Sequence, residues 1–327
     1  MEQSRNVKLS LLKGIACVGV VLIHIRFPGA FGQLVMRAAG FAVPVFFMVA
    51  GYYSYGKGQD TIARRCKKIF RIFVCAYALH FLYCFAEAAA DQSLRAWLVS
   101  QFNWKTPILY LCFCTIDFAI PLWYLIAMIE VYALWWLTVR RGREETAVKA
   151  LPLLFALRIL LTCYCETKDL PWFWKVNFLT GGMPWFLLGY VLHSPAAESV
   201  KQMRVSRLCA LVLIGLVISV MPKALMPVRL NVIGSIPCAF GLFVLAQRNP
   251  GKSLCKPLEY LGERLSLYVY ILHPLIGKAI KSALLALGLD TQNAVYRWIR
   301  PIIVLMTSIA LSWIVDICAE RTRKRAA

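Results

Sequence analysis

The chain has 327 residues, is 60% hydrophobic and has a mean hydropathy of +0.64, more apolar than a soluble chain of this length usually is. Its formal net charge is +21, from 37 Lys and Arg against 16 Asp and Glu. These cations fall between apolar runs and do not share one basic face, which argues against a nucleic-acid partner and for a polytopic membrane protein.

In chain order, ten apolar stretches are predicted to span: 10–27, 36–55, 69–90, 119–139, 149–165, 177–193, 207–221, 229–247, 265–287 and 300–318. The expected fold is all-α, a polytopic integral membrane helical bundle of about ten transmembrane helices forming one domain over 1–327. The N-terminus mimics a signal peptide, with Arg5 and Lys8 before an apolar run. The run is long, no small-x-small site follows and more spans come after, so it reads as a span. The short apolar segment 106–116 suits a re-entrant or interfacial piece, or the beginning of a longer fourth span. Most of the 12 cysteines stand singly in apolar runs and read as packing residues; the pairs Cys112/Cys114 and Cys163/Cys165 lack the neighbours of a metal site, and no metal is expected.

Loop charges orient the chain. Arg26, Arg37, Arg95, Lys105, Lys168, Lys175, Lys223, Arg229, Arg297 and Arg300 fall on one side, and Lys13, Arg158, Lys278 and Lys281 fall inside spans. The remaining 23 of the 37 cations, among them Arg323, Lys324 and Arg325, fall on the other side. That bias places both termini in the cytoplasm.

The first span, Leu11 to Pro28, carries Lys13 near its start, His24 near its end and Arg26 just beyond. Ionisable groups in a span are costly and lean functional. Lys13 and His24 are 11 residues apart, roughly 16 Å along a helix. A neutral imidazole can take a proton from a hydroxyl and return it, although a histidine can also hydrogen-bond between helices for packing alone. The loop Arg64–Arg71 (RRCKKIFR) holds five cations in eight residues. Topology alone accounts for such a loop; a polyanion site, with Phe70 and Phe73 as a stacking face, is the functional reading. Glu130 and Arg158, near mid-span in neighbouring spans, suit a structural pair. Trp123 and Tyr124, with Trp172, Trp174 and Trp185, read either as interface anchors or as a floor for a sugar ring, anchoring being the plainer reading. His80, Glu87, His273, Lys278 and Lys281 are further polar groups at membrane depth.

Six segments in order resemble the membrane-bound acyltransferase 3 family. Residues 11–24 (LLKGIACVGVVLIH) resemble its first span, with a basic residue 11 positions before the histidine. Residues 46–53 (FFMVAGYY) are similar to its second-span segment, and Arg64–Arg71 falls at its basic segment. Residues 121–125 (PLWYL), 182–190 (GMPWFLLGY) and 261–275 (LGERLSLYVYILHPL) resemble its later motifs. Lys13 stands where the family usually has arginine, and Ala50 where it usually has serine.

The resemblance implies an acyltransferase that moves an acyl group, commonly acetyl, from cytoplasmic acyl-CoA to a hydroxyl of an envelope glycan or lipid-linked sugar. His24 and Lys13 would be the catalytic pair. Lys13, Arg64, Arg65, Lys68 and Arg71 would hold CoA, a co-substrate and not a resident cofactor. Trp123, Tyr124, Glu130, Ser266, Tyr270 and His273 would line the acceptor side, with Asp117 or Glu130 orienting His24. Implied partners are acyl-CoA, the hydroxyl acceptor and membrane lipid, without nucleic acid, and the reading leaves room for a homo-oligomer. The expected location is a bacterial plasma membrane. A transporter or flippase of a small solute such as serine, or of an envelope precursor, is the rival reading, with His24, Glu130, Arg158 and His273 lining its path.

Overall fold

A computed structural model describes residues 6–221 and 231–326 of the chain, with side chains at 6–221 and 233–322. Arg5, Lys223 and Arg229, counted in the charge bias, lie outside the described residues, as do the side chains of Arg323, Lys324 and Arg325. The described residues are helical, with no strand among them.

The chain divides into two compact units, Met1–Phe46 with Ser199–Ala327, and Phe47–Glu198. In its described residues each of the ten apolar stretches falls mostly on helix, but the helices differ in length. Among the described residues six helices or joined helices are long and apolar enough to cross a membrane: Val7–His24, Gly29–Tyr52, Gln59–Ala90, Lys105–Arg140, Lys256–Ala286 and Ala294–Thr322. A bent pair, Pro195–Lys201 with Val205–Val220, makes a seventh if it is one span. The helices over 149–165 and 177–193 are shorter, and the stretch 229–247 begins outside the described residues, so among the described residues length and composition give six or seven spans where the apolar runs suggested ten.

In the first unit, α1 (Val7–His24) starts at Asn6, whose Oδ1 accepts from the Leu9 N–H at 3.0 Å. It ends as Ile25 turns extended ahead of Pro28. α2 (Gly29–Ala38) follows, then a 3₁₀ turn, Ala39–Phe41. α3 (Ala42–Tyr52) carries the chain into the second unit. There α4 (Gln59–Ala90), α5 (Leu94–Gln101), α6 (Lys105–Phe113), α7 (Trp123–Arg140), α8 (Glu144–Lys149), α9 (Leu151–Thr167) and α10 (Met183–His193) follow. The first unit resumes at Ser199, within α11 (Glu198–Lys201), and continues with α12 (Val205–Val220), α13 (Asn231–Gln247), α14 (Lys256–Tyr260), α15 (Ser266–Ala286) and α16 (Ala294–Ala326). Segment 106–116 falls mostly on α6. Cys114 breaks it with a left-handed φ of 53°, and a turn over Asp117–Leu122 leads into α7, so α6 and α7 form one interrupted candidate span.

α16 shows how these helices solve a membrane. Val304, Ser308, Ser312 and Asp316, four residues apart, make a buried stripe, while Ile302, Ile303, Met306, Trp313 and Ile314 are exposed. Small and polar groups face the helices and apolar groups face outward, the inverse of a soluble helix. Asp316 accepts from Tyr260 Oη at 2.9 Å and Arg264 Nε at 3.1 Å, which ties this stripe to the segment before α15.

α1 lies at the centre of its unit, against α13, α14, α15 and α16. Cys17, Val21 and Ile25 of α1 share a buried cluster with Leu261, Leu265, Val269, Ile276 and Val304. Close approach rests on glycine. A Cβ at Gly262 would overlap the Ser10 carbonyl, and one at Gly14 would overlap the Leu258 carbonyl. The turn Leu261–Leu265 is π-helical, which directs Gly262 onto α1 just before α15 begins.

Candidate active site

His24 closes α1 and is half-buried. Its ring lies 5.5 Å from that of His273, tilted by 36°. His273 is fully buried on α15, and Nδ1 stands 3.0 Å from the Val269 carbonyl. A carbonyl only accepts, so Nδ1 carries a proton and donates it to Val269. The Tyr270 ring is 6.3 Å from that of His273. Pro274 follows His273 and has no N–H to give the turn before it. One turn further on, Gly277 packs against Ile25, with room for a Cβ only 2.9 Å from Ile25 Cδ1 and 3.9 Å from Arg300 Nη2. The end of α1, the middle of α15 and the start of α16 therefore meet at one level.

Ser266 begins α15; its hydroxyl donates to the Gly262 carbonyl at 3.0 Å, and its own carbonyl accepts from Cys17 Sγ at 3.9 Å. Lys13 is half-buried on α1, with its Cβ beside Gly262. One unit thus gathers Lys13, His24, Ser266, Tyr270 and His273 from segments more than two hundred residues apart. Within that unit no carboxylate hydrogen-bonds to His24 among the described residues.

These features bear on identity together with one comparison. A family model described as an acyltransferase domain matches residues 6–317. The chain belongs to the acyltransferase 3 family. No curated protein and no solved structure matches it. The protein is an acyltransferase with several membrane-spanning helices, and as such it moves an acyl group to a hydroxyl.

The other predicted site residues of the acyltransferase lie in the second unit. Arg64, Lys68 and Arg71 are exposed at positions 4 and 3 residues apart, which is one face of α4. Arg65 is different: it is half-buried, and Nη1 donates to the Tyr53 carbonyl at 2.9 Å and to Ser54 Oγ at 3.0 Å. That residue anchors the start of α4 to the end of α3. The Tyr53 phenol, just past the span, is held above its usual pKa by burial. Phe70 is exposed, as a stacking face requires, whereas Phe73 packs on Tyr77 with centroids 5.8 Å apart.

Three sequence readings change. Glu130 and Arg158 do not pair. Glu130 Oε2 accepts from Cys114 Sγ at 3.0 Å, and Arg158 Nη1 donates to the Thr180 carbonyl at 2.6 Å while its guanidinium stacks 5.6 Å from the Trp185 ring. Cys114 is therefore a hydrogen-bond donor and not merely a packing residue. Trp185 is fully buried against Phe155, so it is no interface anchor. Trp123 is buried too, with Phe47 6.4 Å from it and 4.8 Å from Tyr124, so both aromatics pack around Phe47. Arg158→Met is expected to destabilise the acyltransferase by about 1–3 kcal/mol, because the buried Thr180 carbonyl loses its charged donor. Thermal unfolding in detergent reads this; an unchanged midpoint would show the carbonyl satisfied elsewhere.

Sequence reasoning passed over the convergence of Arg26, Lys281, Arg297 and Arg300 on one cavity. The positions of Arg26, Arg297 and Arg300 at span ends, on the side with fewer cations, were the available signal, whereas Lys281 falls inside a span.

Proposed function

We propose that this acyltransferase takes an acyl group, acetyl in the first instance, from acyl-CoA and delivers it to a hydroxyl of a glycan or lipid-linked sugar in the cell envelope. The observation that carries the reading is the His24–His273 ring pair at the end of α1. His24 takes the proton of the acceptor hydroxyl. The oxygen attacks the thioester carbonyl, the carbon–sulfur bond breaks, and the departing CoA sulfur receives the proton from His24. His273 positions the His24 ring. Its own orientation is supported by the hydrogen bond to Val269. Lys13 lies roughly 16 Å back along α1, a length comparable to the pantetheine arm, and offers the donor a cation without the fork of an arginine. Arg64, Lys68 and Arg71 offer phosphate ligands on one face of α4. The loop charges support cytoplasmic termini and a plasma-membrane location, with His24 toward the outer face.

The test uses purified protein in nanodiscs with radiolabelled acetyl-CoA, following release of free CoA, and His24→Ala alongside. Wild type is expected to release CoA and to gain thermal stability from acetyl-CoA. Absence of both with a panel of acyl-CoAs would overturn the reading, and solute uptake in proteoliposomes would then test transport.

A further inference from the structure

Beyond His24 the chain forms a feature that the chemistry above leaves unused. A cavity of about 290 Å³ is lined by Arg26, Lys281, Arg297 and Arg300, together with Phe27 and Tyr296. The α1–α2 connection, α15 and the start of α16 each supply cations to it, and no acidic side chain lines it. None of the four makes an ion pair among the described residues. Arg26 Nε donates to the Ile23 carbonyl at 3.0 Å, which folds its guanidinium back over the end of α1. Two polar atoms of the wall, Tyr296 Oη and Arg300 Nε, are shut from solvent without a hydrogen-bond partner among the described residues.

Topology does not call for this arrangement. The positive-inside bias places cations on the opposite side of the membrane, and Arg26, Arg297 and Arg300 belong to the minority. Like charges around one cavity repel each other, and orphaned donors are costly, so the site is incomplete without an anion. A carboxylate brings one charge and two oxygens. A phosphate monoester or diphosphate brings more of both, and guanidinium forks match its geometry.

The mouth of the cavity adds a second property. Phe27 contacts Phe31 and Trp298 with ring centroids 5.3 and 5.9 Å away, and Phe31 and Trp298 are themselves 5.6 Å apart and exposed. That aromatic ledge suits the ring or apolar part of a molecule whose charged group lies in the cavity. Arg26 is two residues past His24, hence at most about 7 Å away along the chain.

The geometry points to a cavity that holds a phosphate or diphosphate group of the acceptor. This rests on the acyl-transfer reading, and it makes the acceptor a phosphorylated or diphosphate-linked sugar amphiphile. A hydroxyl on the sugar next to the phosphate then lies within reach of His24.

The test measures binding of radiolabelled inorganic pyrophosphate to the full chain in phosphatidylcholine nanodiscs, at constant ionic strength in chloride. Saturable binding is expected, stronger than that of inorganic phosphate and undisturbed by excess acetate. Lys281→Gln with Arg297→Gln, both at exposed positions, is expected to weaken it at least tenfold, and Lys105→Gln on the other unit to leave it unchanged. If the double variant misfolds, Tyr296→Phe, which removes one oxygen, is expected to weaken binding several-fold. Non-saturable binding, binding that survives these changes, or equal competition by acetate would overturn the proposal. So would binding that vanishes when phosphatidylglycerol replaces phosphatidylcholine, which assigns the cavity to a lipid headgroup. Displacement by CoA at equal affinity assigns it to the donor and also overturns it. Binding is read without turnover, so its failure and failure of the acyl-transfer chemistry are separate results.

Discussion

His24→Ala is expected to lower acyl transfer by about 10²–10⁴-fold, the usual contribution of a positioned general base. The effect falls on turnover and leaves the KM for acetyl-CoA nearly constant, because the proton is taken as the hydroxyl attacks and not as the donor binds. His273→Gln, which keeps a polar side chain at this buried position, is expected to cost about tenfold through misplacement of the His24 ring. The double variant should then be no slower than His24→Ala alone, since a positioning residue has nothing left to position. CoA release in nanodiscs measures all three. Wild-type rates in His24→Ala would remove the general base from the mechanism, and additive losses would make His273 an independent participant.

Gly262→Val is the substitution with the largest expected effect on stability. A Cβ at this position would overlap the Ser10 carbonyl and crowd the Gly14 nitrogen, and both are backbone atoms of α1. A flexible side chain could swing away, but a helix backbone must move as a body. The expected cost is about 3 kcal/mol or more, at the upper end of overpacking effects. Gly251→Ala is the control: nothing lies within 4 Å of its Cβ position, and the change should stay within about 0.5 kcal/mol. Unfolding midpoints in detergent compare them. Gly262→Val should also lose activity beyond its loss of folded protein, because moving α1 separates His24 from His273. An active, normally stable Gly262→Val protein would show that α1 need not sit so close.

Close backbone approach recurs in the segments that carry the family resemblance. Gly14 and Gly262 bring α1 onto the turn before α15. In the second unit Gly51 meets the Phe186 carbonyl, and Gly189 meets the Met48 carbonyl, so α3 and α10 touch without intervening side chains. Glycine in a span thus reads as packing chemistry as much as punctuation.

The sequence by itself determined the class of this protein. Long apolar runs, loop cations and the order of the motifs were enough for a helical membrane acyltransferase, because a helix in lipid satisfies its own backbone and needs only local residues to do so. The same local rules ended the first span at Pro28 and marked His24 as a group that must have a reason to be there. They did not set how many stretches are long enough to span: among the described residues the helices α9 and α10, over 149–165 and 177–193, are shorter than the candidate spans. Partner choice was decided only by the tertiary structure. Glu130 and Arg158 were matched by charge and depth, yet each found another group, because the rotation of a helix about its axis decides which side chain faces which neighbour. The convergence of His24 with His273, and of Arg26 with Lys281, Arg297 and Arg300, joins residues some 250 positions apart. Such distant pairs depend on where glycines let α1 approach α15 and α16, and no local pattern records that distance.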